Sequence, residues 1–230
     1  LLQERVPRRI QLAAPRVEEV EFVRSVREVP PPVTRAYPLA STTVPATHFL
    51  SNGSYSVMVT NAGGGYSRWR ERTVTRYRED ITRDCWGTFF YITNTETGHI
   101  WSAAFQPTLT EPDDYHVTFS ADKADFRRFD GEIETHTEVT VSPEDDTEAR
   151  RFTITNHGRE PVALDVTSYL EVTLAPLGAD HAHKAYSNLF VETEAIAEST
   201  ALLFTRRPRS DEEPRYWGLH VLACDAPDAC

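Results

Sequence analysis

Hydrophobic and polar residues alternate with a period of two along most of the chain from Thr47 onward. The clearest stretch is PVALDVTSYLEVTLA, whose apolar positions are Val162, Leu164, Val166, Leu170, Val172 and Leu174. Alternate side chains of a strand point to opposite faces. The pattern therefore predicts a long, half-buried strand, with the valines and leucines from 162 to 172 facing one core.

IETHTEVTV repeats this alternation, with Ile133, Val139 and Val141 on one side and acidic residues and a histidine on the other. Further short runs of the same kind are separated by turn sequences such as SNGS, NTETG and SPEDD. About eleven strands at this spacing, with no helical period between them, are typical of a large antiparallel sandwich. We predict an all-β fold with no long helix between residues 47 and 223.

The first 46 residues differ from the rest of the chain. They mix charged residues with scattered prolines, including three in a row at 30–32, and show no sustained period. Such composition is typical of a linker. We predict a linker or N-terminal extension over residues 1–46 and one β-sandwich domain over residues 47–230, because sandwiches of this length commonly form a single domain.

Charge and cysteine content exclude several classes of function. The formal net charge of -11 would repel nucleic acid over most of the surface. No run of eighteen apolar residues is present, so we predict no direct membrane insertion. Three cysteines without regular spacing argue against a disulfide framework and favour a reducing, cytoplasmic compartment.

Local motifs supply no complete catalytic set. The glycines at 63–65 lack the Lys-Ser/Thr pair of a phosphate loop and precede a strand, so a hairpin turn is the favoured local interpretation. The acidic triplet 144–146 follows a proline between two strands and is interpreted as a solvated turn rather than a pair of catalytic carboxylates.

His181 and His183 have a spacing compatible with metal binding, but no further ligand is organised around them. A polar loop is the favoured interpretation, and we predict neither a metal nor a cofactor. Several aromatic and amide side chains near turns suit sugar contact, because rings stack on the C–H faces of sugars. For Trp86 and Trp101, inside strand-like runs, core packing is favoured.

Four longer segments carry a family resemblance. They are SNGSYSVMVTNAGGGYSRW ending at Trp69, VSPEDD at 141–146, VTSYLEVTLAP at 166–176 and TRRPRS at 205–210. In this order they resemble the amino-terminal sandwich of glycoside hydrolase family 94, the cellobiose and chitobiose phosphorylase family. The resemblance covers almost the whole chain and is strongest to the members that process β-1,2-glucans, the cyclic β-1,2-glucan synthases and 1,2-β-oligoglucan phosphorylases.

The resemblance implies a galactose-mutarotase-like β-supersandwich, followed by a helical linker and an (α/α)6 barrel. In this family the barrel holds the catalytic aspartate and binds phosphate, so we expect no catalytic residue in this chain, which also stops before the sandwich would be expected to finish. The implied partners are a β-glucan oligosaccharide, phosphate or glucose 1-phosphate, the barrel of the same polypeptide and a second copy in a homodimer. The parent protein would be cytoplasmic, with attachment to the bacterial inner membrane allowed.

The resemblance also assigns roles to residues of the glycine-rich stretch. In the family this turn and the strands after it face the barrel. The predicted interface residues are Gly64, Gly65, Tyr66, Arg76 and Arg78. The glycines would permit close backbone approach, and the two arginines would pair with carboxylates rather than phosphate.

A second predicted site lies in the loop HKAYSNLF. Cellobiose-type relatives carry a Gln-Arg pair where this chain has Tyr186 and Ser187. The change argues against recognition of a β-1,4-linked acceptor. We predict substrate contact by Tyr186, Ser187 and Asn188, with the tyrosine stacking on a sugar and the asparagine bonding a hydroxyl.

Three hypotheses for the function follow. In the first, the chain is the sandwich domain of a β-1,2-glucan-processing glycosyltransferase or phosphorylase and shapes the acceptor side of its site. In the second, it is an autonomous carbohydrate-binding module without turnover. In the third, the sandwich is purely structural, which would leave Tyr186 buried.

Overall fold

The computed structural model describes residues 33–78, 83–182 and 184–225. Within these ranges it contains sixteen β-strands, two short α-helices and one 3-10 turn. The first eight strands are β1 (Arg35–Tyr37), β2 (Thr47–Ser51), β3 (Tyr55–Thr60), β4 (Gly65–Trp69), β5 (Arg72–Thr75), β6 (Thr88–Asn94), β7 (Ile100–Ser102) and β8 (Asp114–Phe119). The next five are β9 (Lys123–Asp130), β10 (Ile133–Val141), β11 (Glu148–Asn156), β12 (Leu164–Leu170) and β13 (Val172–Pro176). The helices α1 (Leu177–Ala182) and α2 (Lys184–Asn188) precede β14 (Val191–Ile196), the 3-10 turn Ala197–Ser199, β15 (Ala201–Arg206) and β16 (Tyr216–Val221).

The strands form four antiparallel sheets. Two have five strands, in the orders β1-β8-β9-β10-β11 and β13-β5-β4-β3-β2. Two have three strands, in the orders β12-β6-β7 and β14-β15-β16. The prediction of an all-β antiparallel fold is confirmed, and the sixteen strands exceed the expected number because several are only three to five residues long.

The two five-stranded sheets share the main core. Side chains from β2 and β3 meet side chains from β8, β9 and β10 in one cluster that includes Val57, Val117, Phe119, Phe126 and Val139, all at most 3 % exposed. Phe119 packs edge-on against Phe126, with ring centroids 6.3 Å apart. Burial of this apolar surface supplies the main driving force for folding.

Strand β10 shows why the period-two pattern predicted this part of the fold correctly. Ile133 and Val139 are buried, and so are Thr135 and Thr137 between them, while the alternating residues are half-exposed. Nine consecutive residues of β10 pair with β11 without a register shift. A regular ladder keeps every second side chain on the core face, so the alternation in the sequence translates directly into burial.

Strand β12 departs from the prediction. Val162 lies outside the strand and is 37 % exposed, and Val166 within it is 39 % exposed. Leu164, Leu170 and Val172 are only half-buried. The predicted single core along 162–172 is therefore wrong, because β12 is an edge strand that pairs only with β6 and its apolar face receives little covering from the described residues.

Two predicted boundaries also change. Arg35–Tyr37 lies within the predicted linker 1–46 but forms β1 and pairs with β8, so the sandwich begins before Thr47. Residues 1–32 lie outside the described ranges. The segment expected as a polar loop before Asn188 instead forms α1 and α2, of six and five residues. These helices are too short to contradict the prediction that the span 47–223 has no long helix.

The acidic triplet 144–146 is an exposed turn, as predicted. The Asn52 side chain ties this turn to the one before β3, because its Nδ2 donates to the carbonyls of Ser142 at 2.8 Å and Asp145 at 2.9 Å. Among the described residues, no helix combines the length and apolar character that crossing a bilayer requires.

Candidate functional site

The predicted substrate-binding residues lie on α2, at the end of the helical segment that follows β13. Tyr186 is 61 % exposed, and its ring makes an edge contact with Phe190 at a centroid distance of 5.5 Å. The exposed fraction contradicts the purely structural hypothesis, which required a buried tyrosine. The ring has a free apolar surface on which a sugar could stack.

Ser187 and Asn188 differ from Tyr186 in their surroundings. Ser187 is only 2 % exposed, and its carbonyl and hydroxyl oxygens accept hydrogen bonds from Nη1 of Arg206 at 3.1 and 3.2 Å. Asn188 is exposed, but its Oδ1 accepts a hydrogen bond from Nη2 of Arg76. Both side chains therefore anchor α2 to the sandwich, and Tyr186 offers the larger accessible surface of the three.

Arg76 is the centre of this anchoring. Its side chain has no exposed surface and makes a two-pronged contact with Asp180 of α1, from Nε at 3.1 Å and from Nη2 at 3.0 Å. Its Nη1 pairs with Glu171, which lies between β12 and β13. Planar guanidinium and carboxylate groups match each other in this geometry. One buried arginine thus links β5, β13 and both helices.

Arg78 adds a second cation to the same carboxylate. Its Nη2 lies 3.2 Å from Oδ2 of Asp180 and donates to the carbonyl of that residue at 2.8 Å. Burial raises the pKa of Asp180, but the hydrogen bonds and charges of Arg76 and Arg78 outweigh it, and the net pKa lies below its ordinary value. The prediction that both arginines pair with carboxylates is confirmed.

The local sequence explains why Arg76 is buried. It directly follows β5, and its backbone N–H donates to the carbonyl of Glu171 at 2.8 Å, which extends the pairing of β5 with β13 by one residue. That extension points the side chain under α1. A buried arginine without carboxylate partners would be costly, so Glu171 and Asp180 are required by the position of Arg76.

The glycine-rich turn is closely packed within the sandwich, and its predicted close approach to a barrel stays a prediction. A Cβ atom on Gly64 would lie 2.0 Å from Oδ1 of Asp84, and one on Gly65 would lie 1.9 Å from the carbonyl oxygen of Met58. The neighbours of these glycines are parts of the sandwich itself. Gly65 also has a φ of +152°, which side chains rarely adopt.

The five predicted interface residues therefore fall into two groups. Gly64, Gly65 and Arg76 are buried among the described residues, while Tyr66 and Arg78 are half-buried. The ring of Tyr66 packs against that of Tyr77 at 5.0 Å. A contact with another domain at this place remains a prediction, and Tyr66 and Arg78 would supply its side-chain surface.

Metal binding is not favoured at either candidate cluster. His181 lies on α1 with Nε2 3.4 Å from the carbonyl oxygen of Tyr77, and His183 is outside the described residues. Asp125, His136 and Glu138 bring ligand atoms within 4.8 Å of one another. However, the ammonium of Lys123 already donates to both carboxylates, at 3.2 and 2.6 Å, and takes the place that a cation would need.

Sequence reasoning missed the residues that hold α1 and α2 in place. Asp180, Glu171 and Arg206 were not singled out, although they form the contacts that fix Tyr186 and its helix. Two arginines at 76 and 78 in a strand-like run were the available signal, because a buried arginine requires an acidic partner. Which carboxylates serve it depends on pairings about 100 residues apart, which no local pattern records.

Comparison with known proteins places the whole described region in one family. The family model "Glycosyl hydrolase 94, supersandwich domain" matches residues 30–229. The chain is 34% identical over 226 residues, 98% of its length, to the cyclic beta-(1,2)-glucan synthase NdvB of Rhizobium meliloti (strain 1021), of which it covers 8%. It is also 27% identical over 70% of its length to the N,N'-diacetylchitobiose phosphorylase of Vibrio furnissii, of which it covers 21%.

A third relative, the 3-O-beta-D-glucopyranosyl-beta-D-glucuronide phosphorylase of Paenibacillus borealis, is 31% identical over 57% of the chain. The chain covers 17% of that protein. The residues compared here thus span between 8% and 21% of the relatives they match. These relatives are named for different glycosidic substrates, so the shared region alone does not determine the substrate.

Proposed function

Because the chain belongs to the glycoside hydrolase 94 supersandwich family, we propose that it is the sandwich domain of a β-1,2-glucan-processing glycosyltransferase or phosphorylase. The observation that carries this proposal is the 34% identity to a cyclic β-(1,2)-glucan synthase over 98% of the chain. The two phosphorylases match only 70% and 57% of it. The longer match to the β-1,2-glucan synthase, at higher identity, is the reason for proposing a β-1,2-linked substrate.

In the intact protein, the sandwich would support an (α/α)6 catalytic barrel and shape the acceptor side of its site. The barrel would supply an aspartate as general acid and bind phosphate, which attacks the anomeric carbon with inversion. Its substrates would be a β-glucan oligosaccharide with phosphate, or glucose 1-phosphate in the synthetic direction. The site would face the cytoplasm, in a protein that is attached to the inner membrane or free of it.

The sandwich would contribute a fixed aromatic surface. Tyr186 has 61 % of its surface exposed, while its neighbour Ser187 is buried and bonded to Arg206. The Arg76–Asp180 pair fixes the preceding helix in the same way. A ring held by such anchors loses little conformational entropy when a sugar stacks on it, which favours binding in one orientation.

An autonomous carbohydrate-binding module is the second candidate. The exposed rings of Tyr186 and Trp217, 61 % and 56 % accessible, favour it, because aromatic side chains at the surface of a β-sandwich can hold a glucan without catalysis. Affinity electrophoresis of the 230-residue chain through a gel that contains soluble β-1,2-glucan distinguishes the module hypothesis from the enzyme-domain hypothesis. Retardation in the absence of a barrel supports the module, and unchanged mobility supports the enzyme domain.

The enzymatic proposal is tested with the full-length protein that contains this chain. Phosphorolysis is measured on matched gluco-oligosaccharides with β-1,2, β-1,3 and β-1,4 linkages. We expect release of glucose 1-phosphate to be fastest from the β-1,2 series. A preference for another linkage would contradict the proposed substrate while leaving the family assignment intact.

The role of Tyr186 is tested separately in the same protein. Tyr186→Ala should weaken use of a β-1,2-oligoglucan acceptor by about 1–3 kcal/mol in kcat/KM, the scale of one lost aromatic contact. Tyr169→Ala is the matched control, because this tyrosine is also exposed, at 45 %, but lies on β12. Unchanged kinetics in a normally folded Tyr186 variant would remove this residue from the acceptor site.

A further inference from the structure

Three arginines surround one phenylalanine beside β15. The guanidinium carbons of Arg206, Arg207 and Arg209 lie 5.4, 5.5 and 5.6 Å from the centroid of the Phe190 ring. A phenyl ring attracts cations over its faces, but it has only two of them. The ring therefore cannot compensate three positive charges that also repel one another.

Carboxylates compensate these charges only from a distance, because Glu213 and Asp180 favour the charged form of Arg206 without a direct ion pair. The other buried arginines are paired, Arg76 with Asp180 at 3.0 Å and Arg128 with Asp130 at 2.6 Å. In contrast, within the described part of the chain, the guanidinium groups of the three arginines around Phe190 have no carboxylate oxygen within 4.0 Å. Buried or clustered guanidinium groups normally have anionic partners, so this cluster is an exception within the same molecule.

The lack of a direct carboxylate partner among the described residues is clearest at Arg206, because this residue is only 4 % exposed. Its Nη1 donates to the carbonyl of Thr173 and to two oxygens of Ser187, but its Nη2 is buried without a hydrogen-bond partner among the residues that the structure describes. Burial, and after it the charge of Arg209, lowers the pKa of Arg206, and the charges of Glu213 and Asp180 offset this lowering only in part. One buried guanidinium donor of Arg206 is therefore unsatisfied within the described structure, beside two other arginines.

An open depression of about 420 Å³ lies directly beside this cluster and is lined by the loop after β15. Arg207, Arg209 and Arg215 contribute to its wall, together with Asp211 and Glu213. Glu213 is already engaged, because its Oε2 accepts a hydrogen bond from the backbone N–H of Arg209 at 2.8 Å. The depression therefore has more cationic than anionic groups and is large enough for a small oxyanion.

We infer that Arg207 and Arg209, which line the depression beside Arg206 and Phe190, form a binding site for a phosphate-type oxyanion. Guanidinium groups donate paired hydrogen bonds that match the oxygens of such an anion. A dianion compensates more of the clustered charge than a carboxylate monoanion does. The formal net charge of the chain is -11, so most of its surface repels anions. The arginine-lined depression should therefore bind an anion in preference to the rest of the surface.

The site is independent of the proposed glucan chemistry, because it requires only the folded 230-residue chain. It is tested by isothermal titration calorimetry of that chain with inorganic phosphate, and with acetate at matched ionic strength as the monoanion. We expect saturable phosphate binding that is stronger than acetate binding. Absence of saturable phosphate binding, or stronger binding of acetate, would overturn the inference.

Variants locate the bound anion. Arg207→Gln and Arg209→Gln should each weaken phosphate binding about tenfold, as expected for loss of one charge-assisted contact, whereas Arg209→Lys should retain part of it. Arg151→Gln is the matched control, because Arg151 is 79% exposed on β11 and lies far along the chain from the cluster. An equal loss of phosphate affinity in the Arg151 variant would contradict the proposed site. Unchanged affinity in the Arg207 and Arg209 variants would also contradict it, because the anion would then bind elsewhere.

Discussion

The two five-stranded sheets and the β14–β16 sheet differ in what covers their apolar residues. In the first region, Val117 and Phe119 are 0 % and 1 % exposed, because the two sheets face each other across a common core. In the second, Trp217, Leu219 and Val221 occupy alternate positions of β16 and are 56 %, 56 % and 54 % exposed. Both regions have the alternation of a half-buried strand. The inner face of the β14–β16 sheet is covered, since Phe204 is 5 % exposed and Tyr216 packs against Trp69, but its outer face, with Trp217, has no covering layer among the described residues.

The two regions also hold their buried arginines differently. Arg128, in the first, forms two hydrogen bonds with Asp130, two residues along the same strand. Arg76, at the end of β5 in the first region, reaches a carboxylate 104 residues away, whereas the guanidinium of Arg206, on β15 in the second, has none within 4.0 Å in the described structure.

The largest expected effect lies in the shared core. Phe119→Ala should lower the free energy of unfolding by about 3–5 kcal/mol, because it removes a ring that packs against Tyr37 and Phe126 and leaves a cavity. Chemical denaturation measures the change. Phe49→Ala on β2, where the phenylalanine is 56 % exposed, is the matched control and should cost far less. Equal losses at both positions would contradict the assignment of the core.

A loss of stability of similar or slightly smaller size is expected when the buried ion pairs of Arg76 are removed. Arg76→Met should lower stability by about 3 kcal/mol, since it leaves the Asp180 carboxylate buried without its main partner. Arg68→Met removes an exposed pair with Glu71 and should cost at most about 1 kcal/mol. Hydrogen exchange should show the loss concentrated in residues 177–188. Uniform loss of protection across the sandwich would mean that Arg76 supports the whole fold.

Asp180 and Asp84 should make the stability of the folded state respond to pH in opposite directions. The pKa of Asp180 lies below its ordinary value of 3.8, so its stabilisation is present above that pH and disappears as the pH falls through the lower folded value. Burial raises the pKa of Asp84, and the hydrogen bond from Thr60 only partly offsets this, so ionisation of Asp84 destabilises the folded state as the pH rises.

The two variants test this sign difference by denaturation between about pH 2 and pH 7, a window that extends below the ordinary carboxyl pKa. Asp180→Asn should be less stable than the wild-type chain at pH 7, and the difference in unfolding free energy should narrow only below pH 3.8. Asp84→Asn should equal or exceed the wild-type stability at pH 7, and its advantage should shrink as the pH falls. Parallel pH profiles for the two variants would refute the opposite shifts.

The smallest effect is expected on the exposed face of β16. Leu219→Ser should change the free energy of unfolding by no more than about 0.5 kcal/mol, because the side chain is already 56 % exposed. Val57→Ser, at a fully buried position, is the contrasting variant. A large loss from the leucine substitution would show that another surface covers β16 in solution.

The sequence predicted the fold class and the burial of β10 because both depend on a local period. Regular pairing of β10 with both neighbours converts the alternation into two faces, and Ile133 and Val139 fall on the inner one. The same argument failed at Val166, since the period says which residues share a face but not whether another layer covers that face.

The candidate site was predicted only in part. Exposure of Tyr186 followed from its place in a polar segment, and the carboxylate partners of Arg76 and Arg78 followed from general electrostatics. The helices themselves were not predicted, because α1 and α2 are too short to show a helical period. The burial of Ser187 depends on Arg206, which approaches from another sheet.

The Arg76 network also determines when the helical segment can form during folding. Helices of six and five residues are far below the length that is stable alone in water, so residues 177–188 have no reason to become helical before their anchors exist. The anchors lie on strands 95 to 112 residues apart in sequence from their partners. Closing such long loops is slow, so the appearance of helical signal should coincide with one of the last steps of assembly.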